Sequence, residues 1–236
     1  MGEATTDPRS RDLPVADIIG WDVRTWSKAV DHWSAVLPPG GPVLRCLEIG
    51  AGPGGPSLWL ALRGHDVTCS NFENTRDQAG PLHERYGVDT ITYENIDANA
   101  IGYDAEFDLI IFKSVLGGAG SSAAQQRDIV AGMHRALKPG GRLLFAENLR
   151  GTWLHRIVRA VAYRFRGTSW RYLTRRELDD MLGVFESHDL RTTGFLALFG
   201  MTEAQRRRLA AADDAVFNRV PASWRYVAFG SATKAS

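Results

Sequence analysis

Leu47-Glu-Ile-Gly-Ala-Gly-Pro-Gly-Gly55 constrains the fold of this 236-residue chain more than any other stretch. It closes a short apolar run, Val43–Ile49, and opens a segment, Gly54–Arg63, whose apolar residues recur at helical spacing. Glycine reaches positive φ without a Cβ clash and lets a ligand come against the backbone. The first turn of a helix leaves N–H groups without internal partners, so polar or anionic groups settle there. A glycine loop between strand and helix predicts an α/β chain with a small-molecule site at the carboxyl end of that strand. A tight strand-to-helix turn with no ligand is the competing explanation.

The chain continues the alternation. Strands are expected at Asp66–Ser70, Thr90–Tyr93, Phe107–Phe112 and Arg142–Glu147. Helices are expected at Thr75–Tyr86 and Ala123–Leu137, the second closed by Lys138-Pro-Gly-Gly141. Near-continuous apolar strands separated by helices argue for a parallel sheet covered on both faces. Upstream, Pro14–Leu37 carries one or two amphipathic helices. Downstream, Thr174-Arg-Arg-Glu177 is a capping box for a helix over Arg175–Phe185. Strands at Thr192–Phe199 and Trp224–Gly230 flank a helix near Glu203–Phe217. With 44% hydrophobic and 23% charged residues, the chain can bury a core and is neither disordered nor fibrous. No apolar run approaches the roughly 18 residues of a membrane span, and a cytoplasmic protein is expected. Cys46 and Cys69 lie in strand-like runs and form no C-x-x-C pair, which argues against a disulfide framework or a zinc site. No carboxylates stand at metal-ligand spacing, so no metal is expected.

Two patterns overlap on the glycine loop. Gly50, Gly52 and Gly55 fit the dinucleotide fingerprint, with Glu73 placed for the ribose. Glu48, Gly50, Gly52 and Gly54 fit E-x-G-x-G-x-G. Ile96-Asp97-Ala98, Phe107-Asp-Leu-Ile-Ile-Phe112 and Leu137-Lys-Pro-Gly-Gly-Arg-Leu-Leu144 follow at the spacing of a second acidic motif, a fourth strand and the turn into a fifth. With that glycine loop they resemble class I S-adenosylmethionine-dependent methyltransferases over about residues 43–148. A hydride-transfer enzyme has no reason to carry all four blocks. The resemblance implies a doubly wound, seven-stranded, mostly parallel Rossmann-like sheet with a last antiparallel strand. It also implies S-adenosylmethionine held by Glu48, Gly50, Ala51, Gly52 and Gly54, with Asp97 and Ala98 at the adenine. Trp26, Asn71, Phe72, Lys113 and Ser114 complete the expected cofactor set. The family ends its second strand with Asp or Glu for the ribose; here Asn71 stands there, and Asn71 or Glu73 could serve, since an amide both donates and accepts. The whole chain, with Trp170-Arg-Tyr172 and Gly194-Phe195, resembles a bacterial subgroup often found beside polysaccharide and glycosyltransferase genes. No linker divides the sequence, so one methyltransferase domain over 1–236 is expected. Within it, 1–13 is a flexible tail, 14–37 lid helices, 43–148 the cofactor core, and 149–236 substrate-side helices with the final strand pair.

Methyl transfer is an in-line displacement at an activated carbon, and an alcohol acceptor adds a need for a general base. Glu147, at the end of the fifth strand, and His155, opening the next helix, are the candidate bases, with Lys113 at the end of the fourth strand also in position. A helix cap or an arginine partner is the plain role for Glu147, and an exposed helix position the plain role for His155. Residues 1–149 hold 19 acidic against 13 basic side chains, and 150–236 hold 8 against 15. Arg150–Arg176 alone has eight arginines and no acid. Trp153, Leu154, Ile157, Val158, Val161, Ala162 and Phe165 form an apolar stripe beside Arg156, Arg159, Arg164 and Arg166. Such a helix suits a peripheral membrane contact, a phosphorylated or lipid-linked substrate, or a homodimer partner; a lid helix packed on the core is the plain alternative. Nucleic acid is not favoured, because the aromatics form no stacking platform. The expected function is O-methylation of a small hydroxylated or sugar-containing metabolite. Small-molecule N-methylation, a dinucleotide-dependent oxidoreductase and a non-catalytic adenosine-binding module are the alternatives.

Overall fold

A computed structural model of the chain describes residues 13–164, 170–216 and 219–236. The flexible tail expected at 1–13 therefore falls, but for Leu13, outside the described residues, as do Phe165, Arg166 and Phe217 and the side chains of Val161, Ala162 and Arg164. Seven strands make one sheet in the order β3-β2-β1-β4-β5-β7-β6. They are β1 (Arg45–Ile49), β2 (Asp66–Asn71), β3 (Thr92–Asn95), β4 (Phe107–Lys113), β5 (Leu137–Asn148), β6 (Ser187–Thr193) and β7 (Val227–Thr233). The first five run parallel, and β7 lies antiparallel between β5 and β6. This departs from the 3-2-1-4-5-6 order of dinucleotide-binding sheets by inserting one reversed strand.

The strands supply both faces of the sheet, which explains their unbroken apolar character. In β4, Leu109 and Ile111 join one core with helices α1 (Val15–Ile19), α2 (Val23–Val36), α3 (Gly55–Ala61), α4 (Thr75–Arg85) and α9 (Glu203–Val216). Phe107, Ile110 and Phe112 point the other way, toward α5 (Leu116–Ala119), α6 (Ala123–Ala136) and α8 (Arg175–Leu182). In α2, Trp26, Ala29, Val30 and Trp33 recur at i+3 and i+4 and are buried together. The capping box forms as expected: Glu177 N donates to Thr174 Oγ1 at 3.1 Å, and Thr174 N to Glu177 Oε2 at 2.7 Å. A side chain at Gly55 would collide with the carbonyl of Ile18, so this glycine serves the close approach of α1 to α3.

Four expected elements need correction. The third strand starts at Thr92, two residues late, and β5 starts at Leu137, where the helix was expected to end. The penultimate strand is Ser187–Thr193, with Ala197–Phe199 forming a short 3-10 turn in place of strand. Gly194, at φ +76°, ends β6. The last strand begins at Val227, because Ala222–Trp224 is also a 3-10 turn. β6 is an edge strand whose outer residues face water, so its sequence lacks an apolar run, and the aromatic residues after it carried the expectation instead. At β7, Trp224 and Tyr226 drew the expected start ahead of the strand.

Candidate active site

The glycine loop leaves the carboxyl end of β1 with three positive φ angles: +65° at Gly50, +53° at Gly52 and +80° at Gly54. A Cβ at Gly50 would lie 2.6 Å from Val115 Cγ2, and one at Gly54 2.5 Å from His83 Nε2. At Gly52 it would meet nothing within 4 Å, so this is where the loop faces open space. Asn71 holds the Gly52 peptide from both sides: its Oδ1 accepts from Gly52 N at 2.7 Å, and its Nδ2 donates to Gly52 O at 3.2 Å. The ends of β1 and β2 are thereby locked together. Buried His83 bridges Gly54 O (2.9 Å) and Tyr93 Oη (2.7 Å). Burial pulls its pKa down, so the neutral ring donates to Gly54 O through Nε2 and accepts from Tyr93 at Nδ1.

A cavity of about 670 Å³ opens in front of the loop. That volume lies in the ~300–1,000 Å³ range of small-molecule sites. Gly50, Phe72, Glu73, Asp97, Ser114 and Trp170 line it at the carboxyl ends of β1, β2 and β4. Asp97 caps a 3-10 turn, Ala98–Ala100: its Oδ1 accepts from Asn99 N at 2.8 Å and Asn99 Nδ2 at 3.0 Å. Its Oδ2 has no hydrogen-bond partner among the described residues. Phe72 stands 70% exposed at the cavity wall, an aromatic face open to a ligand. Ser114 sits at φ +57°, and its Oγ accepts from Asn148 Nδ2 at 2.8 Å. A smaller cleft of about 400 Å³ lies at the opposite, amino ends of the strands, beside Leu44, His65, Asp108 and Arg142, and the glycine loop does not reach it.

Behind the loop lie two buried carboxylates and a lysine. Glu48 Oε2 accepts from Ser57 N (2.7 Å) and Ser57 Oγ (2.5 Å), which caps α3 from the strand before it. Burial pushes the Glu48 pKa up to about 7 against those bonds. Lys113 attracts both Glu48 and Glu147, and its ammonium lies 5.5 Å from the centre of the Trp26 ring. Burial lowers the Lys113 pKa, with the two carboxylates opposing.

Five of the expected site residues point elsewhere, Lys113 behind the loop among them. Glu147 is fully buried: Oε2 accepts from Val115 N (2.8 Å) and Leu116 N (2.7 Å), and Oε1 from Asn148 N (2.7 Å). It caps α5, and burial pushes its pKa up to about 7. His155 is buried, not exposed, at the start of α7 (Trp153–Arg164). Its Nδ1 accepts from Thr152 N at 3.1 Å and its Nε2 donates to Phe195 O at 2.8 Å, so both ring nitrogens are used. Trp26 packs in the core with Trp33 and is not among the cavity-lining residues. Glu48 serves the α3 cap. Gly50, Asn71, Phe72, Asp97, Ala98 and Ser114 do line the cavity, whereas Ala51, Gly52 and Gly54 form the loop beside it.

The stretch that carries the glycine loop, Asp97 and β1 to β5, residues 47–145, matches a family model described as "Methyltransferase domain". Those residues are a methyltransferase domain. The tRNA 5-carboxymethoxyuridine methyltransferase of Escherichia coli K12 is 33% identical to the chain over 129 residues. The match covers 52% of this chain, which spans about half (48%) of that relative. Haemonchus contortus phosphoethanolamine N-methyltransferase 2, solved with S-adenosyl-L-methionine, superposes at a TM-score of 0.63 and 16% identity, over 89% of this chain and 53% of that one. Burkholderia thailandensis 1,6-didemethyltoxoflavin-N1-methyltransferase, solved with S-adenosylhomocysteine, gives 0.58 and 17% over 89% and 77%. Trp170 is one cavity residue that the sequence placed only in a general resemblance. Its ring lies over Gly117 and Gly118, where any Cβ would strike it, so the Gly-Gly pair was the signal for an aromatic packed there.

Proposed function

We propose that the methyltransferase transfers a methyl group to a small-molecule acceptor by aligning the reacting atoms, with no help from Glu147 or His155. S-adenosylmethionine supplies a methyl group already activated on a sulfonium. Gly52 would give the cofactor room against the loop, Asp97 Oδ2 would accept from its adenine amino group, Phe72 would pack on it, and Glu73 would reach its ribose. Asn71 is taken up by Gly52, which favours Glu73 for that last role. The observation that carries the alignment reading is the complete internal bonding of Glu147 and His155. Alignment in a dry site can supply up to ~7–11 kcal/mol, against the ~10²–10⁴-fold of a general base.

A nucleophile already unprotonated, such as a free amine, suits that arrangement. O-methylation of a hydroxyl, the function expected from sequence, keeps one supporting observation. Lys113 ends β4, its ammonium has no hydrogen-bond partner among the described residues, and burial favours its neutral form. Lys113→Met separates the two chemistries: the rate collapses if a hydroxyl acceptor needs this amine and holds within about tenfold if the acceptor is itself an amine. The test of the whole reading is transfer of labelled methyl groups to fractionated cell extract. Label in small metabolites, sugars or lipids supports it, and label confined to RNA overturns it in favour of a substrate like that named for the E. coli relative. Asp97→Ala tests the cofactor half: S-adenosylhomocysteine should bind about one to two decades more weakly, the loss of one charged hydrogen bond at ~1.5–3 kcal/mol. Unchanged affinity by titration calorimetry rejects that role.

A further inference from the structure

The first two turns of helix α7 are turned inside out. His155 and Arg159, four residues apart, face the protein and are buried, whereas Trp153, Leu154 and Ile157 are 66%, 40% and 52% exposed. Trp153 and Ile157 are also four residues apart, so they share the outward face, with Leu154 beside them. The inward face is fixed by polar contacts. His155 donates to Phe195 O, and Arg159 Nη1 donates to Leu149 O at 2.6 Å while its guanidinium lies 3.8 Å from the centre of the Tyr172 ring. That anchoring leaves Trp153, Leu154 and Ile157 outward. Arg150 and Arg156 are exposed beside it. A second exposed tryptophan, Trp224, reaches the same helix through Phe195, whose ring lies 6.2 Å from Trp224 and 5.2 Å from His155.

We infer that this face docks the protein on an anionic lipid bilayer, with Trp153 and Ile157 entering the headgroup–acyl boundary and Arg150 and Arg156 on lipid phosphates. Clustered exposed apolar side chains mark an interaction surface, and tryptophan with arginine is the composition that the membrane interface selects. Charge decides the occupant. Arg150 and Arg156 flank the apolar face, and the sequence from Arg150 to Arg176 holds no acid to offset them, which complements an anionic surface. A second copy of the same face would set like charges against each other. An RNA would engage the arginines and leave Trp153, Leu154 and Ile157 in water. The docking needs no acceptor, so it stands or falls independently of the chemistry proposed above.

Vesicle co-sedimentation of the full chain tests it. The protein should sediment with phosphatidylcholine vesicles containing phosphatidylglycerol, and at least about tenfold less with phosphatidylcholine alone. Raising salt from about 0.1 to about 0.5 M should release much of it. Trp153→Glu with Ile157→Glu should cut binding by about tenfold or more while melting temperature and S-adenosylhomocysteine affinity hold. Trp153→Ser with Ile157→Ser should do the same without adding charge. Arg150→Glu with Arg156→Glu should remove the salt-sensitive part. The proposal is overturned if the wild type ignores anionic vesicles or if the serine pair binds them as well as the wild type. It is overturned equally if sedimentation shows a dimer that the serine pair dissolves.

Discussion

Asn71 stands where an acidic residue was expected, and its two hydrogen bonds to the Gly52 peptide explain the exchange. A carboxylate there could accept from Gly52 N but would face Gly52 O with no proton to offer. Asn71→Asp should therefore weaken S-adenosylhomocysteine binding, and Asn71→Ala more so, by about tenfold or more, as the loop loses both bonds. Calorimetric titration of the two variants checks that order; equal affinities would assign the loop's shape to its glycines alone. Glu48 carries a prediction of a different kind. Its folded pKa lies near 7 against an ordinary 4.5, so the folded state holds a proton that the unfolded chain has lost between those values. Stability from this group is present below about pH 4.5 and lost as pH rises through 7. Glu48→Gln keeps an acceptor for Ser57 and removes the titration. The melting temperature of the variant minus that of the wild type should grow from pH 5 to pH 7.5. A difference independent of pH would show that Glu48 ionises normally. The glycine loop and Asp97 were legible in the sequence because their chemistry is local. Glu147 and His155 were misread because their partners lie 32 and 40 residues away, at Val115 and Phe195, and only the fold brings those together.

At the scale of elements, α5 is too short to have been read from periodicity, with four residues and two glycines. It exists because Glu147 receives the N–H groups at its start, a cap supplied from β5 in place of the usual side chain at the N-cap position. Glu147→Ala would leave three buried N–H groups unpaired, each costing ~1–3 kcal/mol. For a chain of this size that predicts a fall in melting temperature on the order of 10 °C. Cofactor affinity should fall as well, since Val115, Gly118 and Ala119 line the cavity. Glu147→Gln should recover part of both. A base would behave differently: Glu147→Ala would then lower the rate and leave the melting temperature where it was. The basic helix was legible as an amphipathic stripe, but not which side faces inward. Periodicity gives the faces of a helix, and the carbonyls of Leu149 and Phe195 decide which one is buried.

Across the whole molecule, one sheet joins an acidic first part to a basic second part, and β7 is the joint. Gly230 pairs with Phe145 of β5 on one side and Leu190 of β6 on the other. A Cβ there would collide with Asp189 O and come within 2.8 Å of Phe145 Cζ. Gly230→Val should abolish the folded protein, seen as loss of the cooperative thermal transition. Gly87→Ala, at φ +67° in open space, should cost only about 1 kcal/mol and serves as the control. A variant at Gly230 that melts like the wild type would mean that β6 can shift to make room. The parallel half of the sheet was readable because its strands are buried on both faces and therefore apolar. The β6–β7 pair was readable only approximately, since one of its members is a polar edge.

The place of β7 also orders events during synthesis. A ribosome delivers β5 and then β6, but the strand that separates them emerges only after α9. Until residues 227–233 leave the exit tunnel, β5 and β6 each present a row of unpaired N–H and C=O groups, a template for any other extended chain nearby. The nascent protein is thus exposed to edge-to-edge association late in translation, when most of its core residues are already made. A translational pause upstream of Val227 would lengthen that window, and chaperone demand would rise with it.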